Sequence, residues 1–346
     1  MRPTDLEALE RFSAAIGREP AQVQAAGGNT SLKAEGILWV KASGFWLADA
    51  ETRDIFVPVR LDRILGGIAR DLADPVSAAV VGEANPMGLR PSIETTLHAL
   101  LPHRVVVHTH SVRTIALAIR EDAEALVASR LHGLRWAFIP YCKPGLPLTR
   151  RTAEALRQRP ADVLILGNHG LVVGGDSLGE AESLLEEVER RLDAPAEPAA
   201  AGDLTALAAA AAGLNLRPVR HERAHGLAMN ERWAAWCSRG SLYPDHVIFL
   251  GPGAVLLPDT GEAGRVAVAA AAQRASKLFI LPGAGVLVPT DTTPSADELA
   301  LCLALVMERV PADAKLRYLT AEDEAELLSW DAEKYRQALA QARQGG

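Results

Sequence analysis

The stretch at residues 90–114 limits the possible folds of this chain more than any other part of the sequence. Its pattern predicts a turn, a short helix that begins at Glu94 and a strand over Val105–Thr109. Because side chains alternate along a strand with a period of two, His108 and His110 leave the end of this strand on the same face. The stretch therefore predicts half of a metal site, with a carboxylate just upstream.

A second stretch, at residues 163–175, supplies a third imidazole. His169 lies at a glycine-flanked turn between two apolar runs, which predicts a hairpin. The histidines His108, His110 and His169, with Glu94 apart from them, suit a catalytic zinc or another divalent metal that keeps one coordination position open. A single histidine near a strand is more often an ordinary hydrogen-bonded polar residue. The Asn-His-Gly turn and the Pro-Ser-x-Glu helix start together favour the metal site.

The composition indicates a soluble protein with a substantial core. The 346 residues are enough for two domains, and 49% of them are hydrophobic while 23% are charged. A net charge of −7 argues against nucleic acid as a partner. The three cysteines are widely scattered, which is typical of free thiols in a reducing compartment. The sequence shows no signal-peptide core and no apolar run of ~18 residues, so we expect a cytoplasmic protein without a membrane partner.

The order of patterns along the chain predicts two domains. The first, residues 1–192, includes a single helix over residues 112–129 and ends in a long amphipathic helix. Residues 193–203 are rich in Ala and Pro and have no apolar period, which predicts a linker. The second domain, residues 204–346, alternates helical pieces with apolar runs that we interpret as strands, among them HVIFLG at 246–251.

The second domain also contains a candidate internal repeat. The segment that begins at residue 278 can be laid without gaps on the hairpin at residues 163–175 and the helix after it, and Ala284 then falls on His169. This alignment predicts a hairpin-plus-helix unit that is used twice and has lost the metal ligand in its second copy. The same apolar-turn-apolar-helix order can also arise independently, so both interpretations stay open.

Five short motifs follow one another along the first domain: GGNTSLK at 27–33, KASG at 41–44, PSIET at 91–95, HTHS at 108–111 and NHGL at 168–171. In this order and spacing they resemble the class II aldolase/adducin family over residues 5–192. The resemblance implies an α/β fold in which an α/β/α layered domain has a central mixed, largely antiparallel sheet and is followed by a smaller C-terminal α/β domain. It also implies a homo-oligomer.

Within this family, the sequence around the PSIET and HTHS motifs is similar to the aldolase part of rhamnulose-1-phosphate aldolase/dehydrogenase fusion proteins, as are the segments KASG and YCKPGLPL. Their dehydrogenase part is absent here, because neither GPGAVL nor GAGVLV completes a GxGxxG dinucleotide-binding fingerprint.

The resemblance assigns a role to most of the candidate site residues. It gives the three histidines to the metal and proton transfer to Glu94, and it places Asn29, Ser43 and Gly44 against a substrate phosphate or carboxylate. Glycines next to Asn and Ser let backbone N–H groups approach an anion, although the same residues also suit two ordinary turns. Lys41 stands where related aldolases have Thr, so an anion is held there by charge. Ser92 either donates a hydrogen bond to the anion or caps a helix.

These assignments predict a zinc-dependent lyase that cleaves a C–C bond of a small ketose phosphate by retro-aldol chemistry through a metal-stabilised enediolate. A carboxylate of Glu type at position 94 argues for lyase chemistry, since an Asp would favour the epimerase branch of the family. Ile93 and Thr95 depart from the usual aldolase motif and leave the particular sugar open. The alternatives are a sugar-phosphate dehydratase, a hydroxy-acid decarboxylase and an adducin-like binding protein without catalysis.

One further motif competes with this interpretation. Residues 221–225 read HERAH and match the HExxH zinc-protease signature, which requires both histidines on one face of a buried helix. Pro218 and Gly226 flank the motif and disfavour a helix. We therefore predict that its histidines are surface polar residues without a metal.

Overall fold

The protein is described by a computed structural model that covers residues 2–211, 214–258, 262–273 and 275–329. The helices are α1 Leu6–Gly17, α2 Leu61–Ala69, α3 Thr95–Leu100, α4 Val112–Ala118, α5 Ala123–Arg130, α6 Leu146–Gln158, α7 Leu178–Leu192, α8 Leu204–Ala211, α9 Glu231–Arg239, α10 Pro244–Leu250, α11 Glu262–Gln273, α12 Pro294–Met307 and α13 Ala321–Ser329. The strands are β1 Asn29–Ala34, β2 Ile37–Lys41, β3 Phe56–Arg60, β4 Val105–Thr109, β5 Trp136–Ile139, β6 Val163–Leu166, β7 Gly170–Gly175, β8 Leu216–Pro218, β9 Val255–Leu256, β10 Phe279–Leu281 and β11 Gly285–Pro289.

The chain divides into two compact units. The first contains residues 2–114 and 123–193, and the second contains residues 115–122 together with the described residues from 194 onward. The segment predicted as a linker contains no helix or strand. Residues 115–122 group with the second unit because the Glu121 N–H donates to the Lys315 carbonyl and the Arg317 N–H donates to the Ile119 carbonyl.

The first unit is built on a seven-stranded sheet in the order β3-β2-β1-β4-β7-β6-β5. All neighbouring strands are antiparallel except β5 and β6, which are parallel. The expectation of a mixed, largely antiparallel sheet in an α/β fold is thus confirmed.

Helices cover both faces of this sheet. Every residue of β4 is buried, so neither face of the strand is open to solvent. Leu97 of α3 and Leu148 of α6 pack in one cluster with Val106, Leu164 and Val172, which share one face. Helix α7 follows β7 directly and packs against β7 and β4. The buried sheet holds the ends of β4 and β7 rigidly, and these ends carry the candidate ligands.

The second unit has a four-stranded sheet in the order β8-β11-β10-β9. Its pairings are antiparallel, antiparallel and parallel, which is the plan of β4-β7-β6-β5 in the first unit. The two hairpins also have the same register at the aligned positions: Leu281 pairs with Gly285 as Leu166 pairs with Gly170. The segment proposed as a repeat therefore folds into the same hairpin in both units, and each hairpin leads into a long helix.

The shared register identifies what replaces the histidines in the second unit. Pro218 pairs with Leu287, as His108 pairs with Val172. Arg220 then corresponds to His110 and Ala284 to His169. None of these three side chains is a metal ligand, so the second unit keeps the strand plan without the ligand set.

Two predicted elements differ in the structure. The expected single helix over residues 112–129 is broken into α4 and α5. The prediction of a strand at HVIFLG is wrong, because these residues lie in α10, whose first residue is Pro244. All residues of α10 are buried, and a continuous apolar run of this length does not distinguish a strand from a buried helix. A proline at the first position is compatible with a helix start.

Two smaller expectations can be compared with the described residues. None of the helices that the structure describes is long and apolar enough to cross a membrane. The three cysteines, Cys142, Cys237 and Cys302, are free thiols, as expected from their spacing.

Candidate metal centre

Three histidines meet at one end of the first unit's sheet. One ring nitrogen from each of His108, His110 and His169 lies within 4.8 Å of the other two, and all three residues are buried. Their ring centroids are 5.0 to 5.1 Å apart. Within the described part of the chain, this is the one group of three or more histidine, cysteine or carboxylate side chains that could hold a metal ion.

The backbone brings the third histidine to the other two. Gly170 pairs with Leu166 across the hairpin, and the turn between them contains Asn168 in the left-handed region with φ of 52°. A Cβ atom at Gly170 would lie 2.4 Å from the carbonyl oxygen of Thr109. Only glycine permits this close approach of β7 to the end of β4, and the approach places His169 beside His108.

A backbone contact fixes the tautomer of His108. Its Nδ1 lies 2.9 Å from the Leu171 carbonyl oxygen. That oxygen can only accept, so Nδ1 carries the proton and Nε2 keeps its lone pair. Metal-binding imidazoles generally use this arrangement, in which the other nitrogen donates to a carbonyl or carboxylate. The donor set and the orientation of His108 therefore fit a divalent ion such as zinc.

Glu94 lies against this histidine group. Its Oε2 is 3.2 Å from His108 Nε2 and accepts a 2.8 Å hydrogen bond from Asn29 Nδ2, while its Oε1 is 3.6 Å from His169 Nε2. Burial raises the pKa of Glu94, but its electrostatic interactions with His108, His169 and His110 and the Asn29 hydrogen bond outweigh burial and lower the pKa to about 2. The side chain is therefore an ionised carboxylate in a buried site.

Glu94 is also held through its backbone. It is the residue before α3, and its N–H donates to the Ser92 hydroxyl at 3.2 Å. Of the two roles expected for Ser92, the geometry shows the local one, since its oxygen accepts from this amide at the helix start. Its hydroxyl hydrogen is still available to a ligand.

The residues expected to bind an anion lie at one end of the β1–β2 hairpin. Ser31 pairs with Val40, which sets Asn29 level with Ala42 and next to Ser43. The Ser43 N–H donates to the Arg90 carbonyl at 2.8 Å. Gly44 adopts a left-handed φ of 79°, which other residues rarely adopt. The expected neighbourhood of Asn29, Ser43 and Gly44 thus follows from the strand register.

Lys41 occupies a different place from the one its charge suggests. It is 2% exposed, and its ammonium group donates to the carbonyl oxygens of Ala26 at 2.8 Å and Gly27 at 3.4 Å. The side chain therefore stabilises the loop that leads into Asn29. Its positive charge can still act on an anion through the low dielectric of the site, while these two hydrogen bonds go to backbone carbonyls.

Sequence patterns did not identify one buried pair next to Glu94. The Ser31 hydroxyl lies 2.7 Å from His98 Nδ1, and both residues are fully buried. Burial lowers the pKa of His98 to about 3, so its ring is neutral. Ser31 follows Asn29 by two residues on a strand, and His98 follows Glu94 by four on a helix. These two spacings place Ser31 and His98 on the same faces as Asn29 and Glu94. They are the sequence feature from which the pair could have been predicted.

The HERAH motif does not form the α-helix that the protease signature requires. Residues Glu222–Ala228 form a 3₁₀ helix, so the expectation that no protease-type α-helix is present agrees with the structure. His221 Nε2 pairs with Glu298 Oε1 at 2.9 Å, whereas His225 Nδ1 accepts from the Val286 N–H at 3.1 Å. The expectation of surface polar residues is wrong for His225, which is 1% exposed, because it satisfies the backbone of the neighbouring strand.

About half of this chain resembles known proteins. Residues 14–194 match the family model described as the class II aldolase and adducin N-terminal domain. The chain is 31% identical over 211 residues to an uncharacterized oxidoreductase, YuxG, of Bacillus subtilis (strain 168), which covers 55% of this chain and 30% of that protein. It is 27% identical over 178 residues to the L-fuculose phosphate aldolase of Methanococcus vannielii, which covers 49% of this chain and 84% of the aldolase.

A third relative, the 3-oxo-tetronate 4-phosphate decarboxylase of Escherichia coli O6:H1, is 33% identical over 118 residues, or 30% of this chain and 53% of the decarboxylase. The chain thus spans less than a third of the length of YuxG and about half that of the decarboxylase. The family match extends over more than half of the chain, and it contains all three histidines and Glu94. The chain therefore belongs to the class II aldolase and adducin family.

Proposed function

We propose that this protein is a metal-dependent lyase that cleaves a C–C bond of a small ketose phosphate by retro-aldol chemistry. The observation that carries the proposal is the buried contact of an ionised Glu94 with His108 and His169, in which Asn29 holds the carboxylate. An adducin-like protein without catalysis has no need of a complete ligand set beside a buried carboxylate. The similarity to an L-fuculose phosphate aldolase supports the same class of reaction.

The residues His108, His110 and His169 would hold the ion, and zinc is our expectation because all three donors are imidazole nitrogens. When bound by three neutral ligands, a divalent ion keeps its full charge and supplies Lewis acidity toward adjacent carbonyl and hydroxyl oxygens of a ketose. The protein contributes buried imidazoles, which β4 and the β6–β7 turn hold in place.

Glu94 is the group to which we assign the proton. In the cleavage direction the substrate hydroxyl loses its proton, the C–C bond breaks, an aldehyde leaves, and the electron pair stays on the ketone fragment as an enediolate. Glu94 is ionised at rest, so it can bind the released proton and deliver it to the enediolate carbon. The Asn29 amide fixes Oε2, and the Ser92 hydroxyl fixes the backbone of Glu94.

The non-reacting phosphate is assigned to the end of the β1–β2 hairpin. Ser43 and Gly44 offer a hydroxyl and a backbone N–H there, and Ser92 a second hydroxyl. The buried Lys41, whose ammonium group donates to the Ala26 carbonyl, contributes its positive charge to binding of the phosphate. Anchoring a group that does not react lets its binding energy position the C–C bond over the metal ligands.

The test is metal analysis of the purified protein followed by a substrate screen. We expect about one divalent metal per chain, and turnover of ketose phosphates to an aldehyde and dihydroxyacetone phosphate or a similar fragment. His110→Ala should lose the metal and the activity, while His221→Ala should keep both. A protein that binds no divalent metal, or one that holds metal but cleaves no ketose phosphate, would contradict the proposal.

The second candidate is a decarboxylase of phosphorylated 3-oxo acids, which the similarity to 3-oxo-tetronate 4-phosphate decarboxylase favours. Both reactions produce an enediolate-type anion, whose charge a bound divalent ion would stabilise, and therefore would need the same residues. Release of carbon dioxide from a 3-oxo acid phosphate, without cleavage of ketose phosphates, would select this candidate.

A further inference from the structure

We propose that the second unit contains a binding cavity for a small organic carboxylate with an apolar body, in which Lys277 binds the carboxylate. The cavity has a volume of about 570 Å³. Its lining includes apolar side chains such as Leu216, Phe249 and Phe279, and polar groups that include Asn215, Lys277 and Thr290. This volume and this combination of an apolar wall with a few polar groups are typical of sites for small molecules.

The cavity lies away from the positions that correspond to the metal ligands. It adjoins Phe279 at the start of β10 and Pro289 at the end of β11, whereas Ala284, which corresponds to His169, lies in the turn that joins these strands. The two ends of this hairpin are thus distinct, and the cavity lies at the end away from Ala284.

The first unit has a cavity at the corresponding place, and the charged residue in its lining differs from that of the second unit. That cavity measures about 400 Å³ and is lined by Asp162. Phe279 and Leu164 occupy the same register position in the two hairpins, so Lys277 corresponds to Asp162, two residues before each. Helix positions agree as well, because Ala153 of α6 and Val268 of α11 line their respective cavities.

The charge at this place is internally balanced in the first unit. Asp162 accepts a 2.6 Å hydrogen bond from Arg135 Nε and a 2.7 Å contact from His103 Nε2. These contacts lower the pKa of Asp162 against the opposing effect of burial. The Asp162 carboxylate is therefore already paired with cationic and hydrogen-bonding side chains of the same unit.

The charge at Lys277 is not balanced in this way. Among the residues that the structure describes, none forms a hydrogen bond or an ion pair with its ammonium group. Burial lowers the pKa of Lys277, and the attraction of Asp291 only partly opposes that effect. A carboxylate bound next to the ammonium would pair with it and favour its charged form.

Two neighbouring features define the class of ligand. Helix α12 is 14 residues long and begins beside the cavity, and its cap residue Thr293 makes no side-chain hydrogen bond to the helix start. The positive end of this helix dipole adds to the potential of Lys277. Asp291 is exposed in the lining and carries a negative charge. One ammonium beside one carboxylate suits a singly charged anion better than a doubly charged phosphate.

The experiment uses the full chain and measures binding by calorimetry at pH 7 with octanoate, with 1-octanol as its neutral analogue and with inorganic phosphate. We expect octanoate to bind, and 1-octanol and phosphate to bind at least ten times more weakly. Lys277→Met should weaken octanoate binding at least tenfold, and Lys277→Arg should preserve most of it. Lys315→Met, which removes an exposed lysine of the same unit, should bind octanoate as the parent does.

A second variant tests the cavity itself. Val268 is only partly buried on α11, so Val268→Trp can fill the cavity with little strain on the core, and it should abolish octanoate binding. Circular dichroism checks that each variant is folded, and metal content checks that the first unit is intact. The proposal is overturned if the parent does not bind octanoate, if 1-octanol or phosphate binds equally well, or if Lys277→Met binds octanoate as tightly as the parent.

Discussion

Two hydrogen bonds hold Glu94, and a substitution that keeps both of them can test its role in proton transfer separately from its structural role. The Asn29 amide and the Ser92 hydroxyl hold the residue in place, and an amide side chain of the same shape can keep both contacts. Glu94→Gln should therefore keep the fold and the metal, but lower turnover about 10²- to 10⁴-fold because an amide cannot exchange the proton. The measurement is metal content together with the rate on a cleaved ketose phosphate.

The control for this variant is Glu83→Gln, which changes an exposed carboxylate of the same unit in the same way. It should have the parent's rate and metal content. A Glu94→Gln protein that turns over near the parent's rate would remove Glu94 from proton transfer.

Lys41 gives a second prediction, and Lys33 provides its matched control. Both lysines lie in the β1–β2 hairpin and donate to backbone carbonyls, Lys41 to Ala26 and Lys33 to Leu101. Replacing either by Met should cost about 1–3 kcal/mol in the free energy of unfolding, because a buried carbonyl loses its donor. Only Lys41→Met should also lower kcat/KM, more for the phosphorylated substrate than for its unphosphorylated analogue.

Urea unfolding and steady-state kinetics measure the two effects separately. The anion assignment fails if Lys41→Met affects both substrates alike, or if Lys33→Met shows the same preference.

The sequence predicts the grouping of the three histidines better than it predicts the contacts that hold Glu94 and Lys41. The period of a strand places His108 and His110 on one face whatever surrounds them, and the glycine-flanked turn marks His169. The contact of Asn29 with Glu94 depends instead on the pairing of β1 with β4, which joins residues far apart in the chain. The burial of Lys41 likewise depends on the loop at Ala26, which the ammonium group contacts. Sequence alone does not reveal this loop contact, so the charge of Lys41 predicts a direct contact with the anion.

At the scale of elements, the site depends on how closely β7 approaches β4. Gly170→Ala should disrupt this approach, because its Cβ would lie 2.4 Å from the Thr109 carbonyl oxygen, and backbone atoms cannot yield cheaply. We expect a loss of about 1–3 kcal/mol in the free energy of unfolding, as in other overpacked cores. Metal affinity should fall as well, because His169 is displaced from His108.

Gly179→Ala is the control for this strand change. Gly179 lies in α7, and nothing is within 4 Å of the Cβ that the change would add. The variant should be stabilised by up to about 1 kcal/mol, since alanine is the better helix former. Titration with zinc and thermal unfolding compare the two, and a Gly170→Ala protein with the parent's metal affinity would show that the spacing is not critical.

The elements predicted correctly are those whose sequence pattern is compatible with only one type of secondary structure. Strand β4 is a run of mostly β-branched residues bounded by turn signals, and its predicted ends agree with the observed ones. Helix α10 is buried all round, so its apolar run fits a strand equally well until its neighbours are known. The break between α4 and α5 is set by the backbone bonds of residues 119 and 121 to residues 317 and 315, which no local pattern reports.

At the scale of the whole chain, the same strand order occurs in both units, and only the first unit carries the candidate metal-binding histidines. Packing of apolar side chains specifies this plan, and the residues at the strand ends are not needed for it. Pro218, Arg220 and Ala284 stand where the first unit has its histidines, yet the pairing order is the same. Fold and metal site are therefore separable in this protein, and the second unit can serve as an internal reference for the first.

The last prediction uses that reference. A metal that binds only the folded first unit stabilises it by about 4 kcal/mol when its free concentration is a thousand times its Kd. Removing the metal with a chelator should therefore increase amide hydrogen exchange in β4, β6 and β7, by up to about 10³-fold, and leave β10 and β11 nearly unchanged. The His169→Ala protein should exchange like the chelated parent and show no response to the chelator. Equal increases in both hairpins, or none in β4, would place the metal elsewhere than on the three histidines.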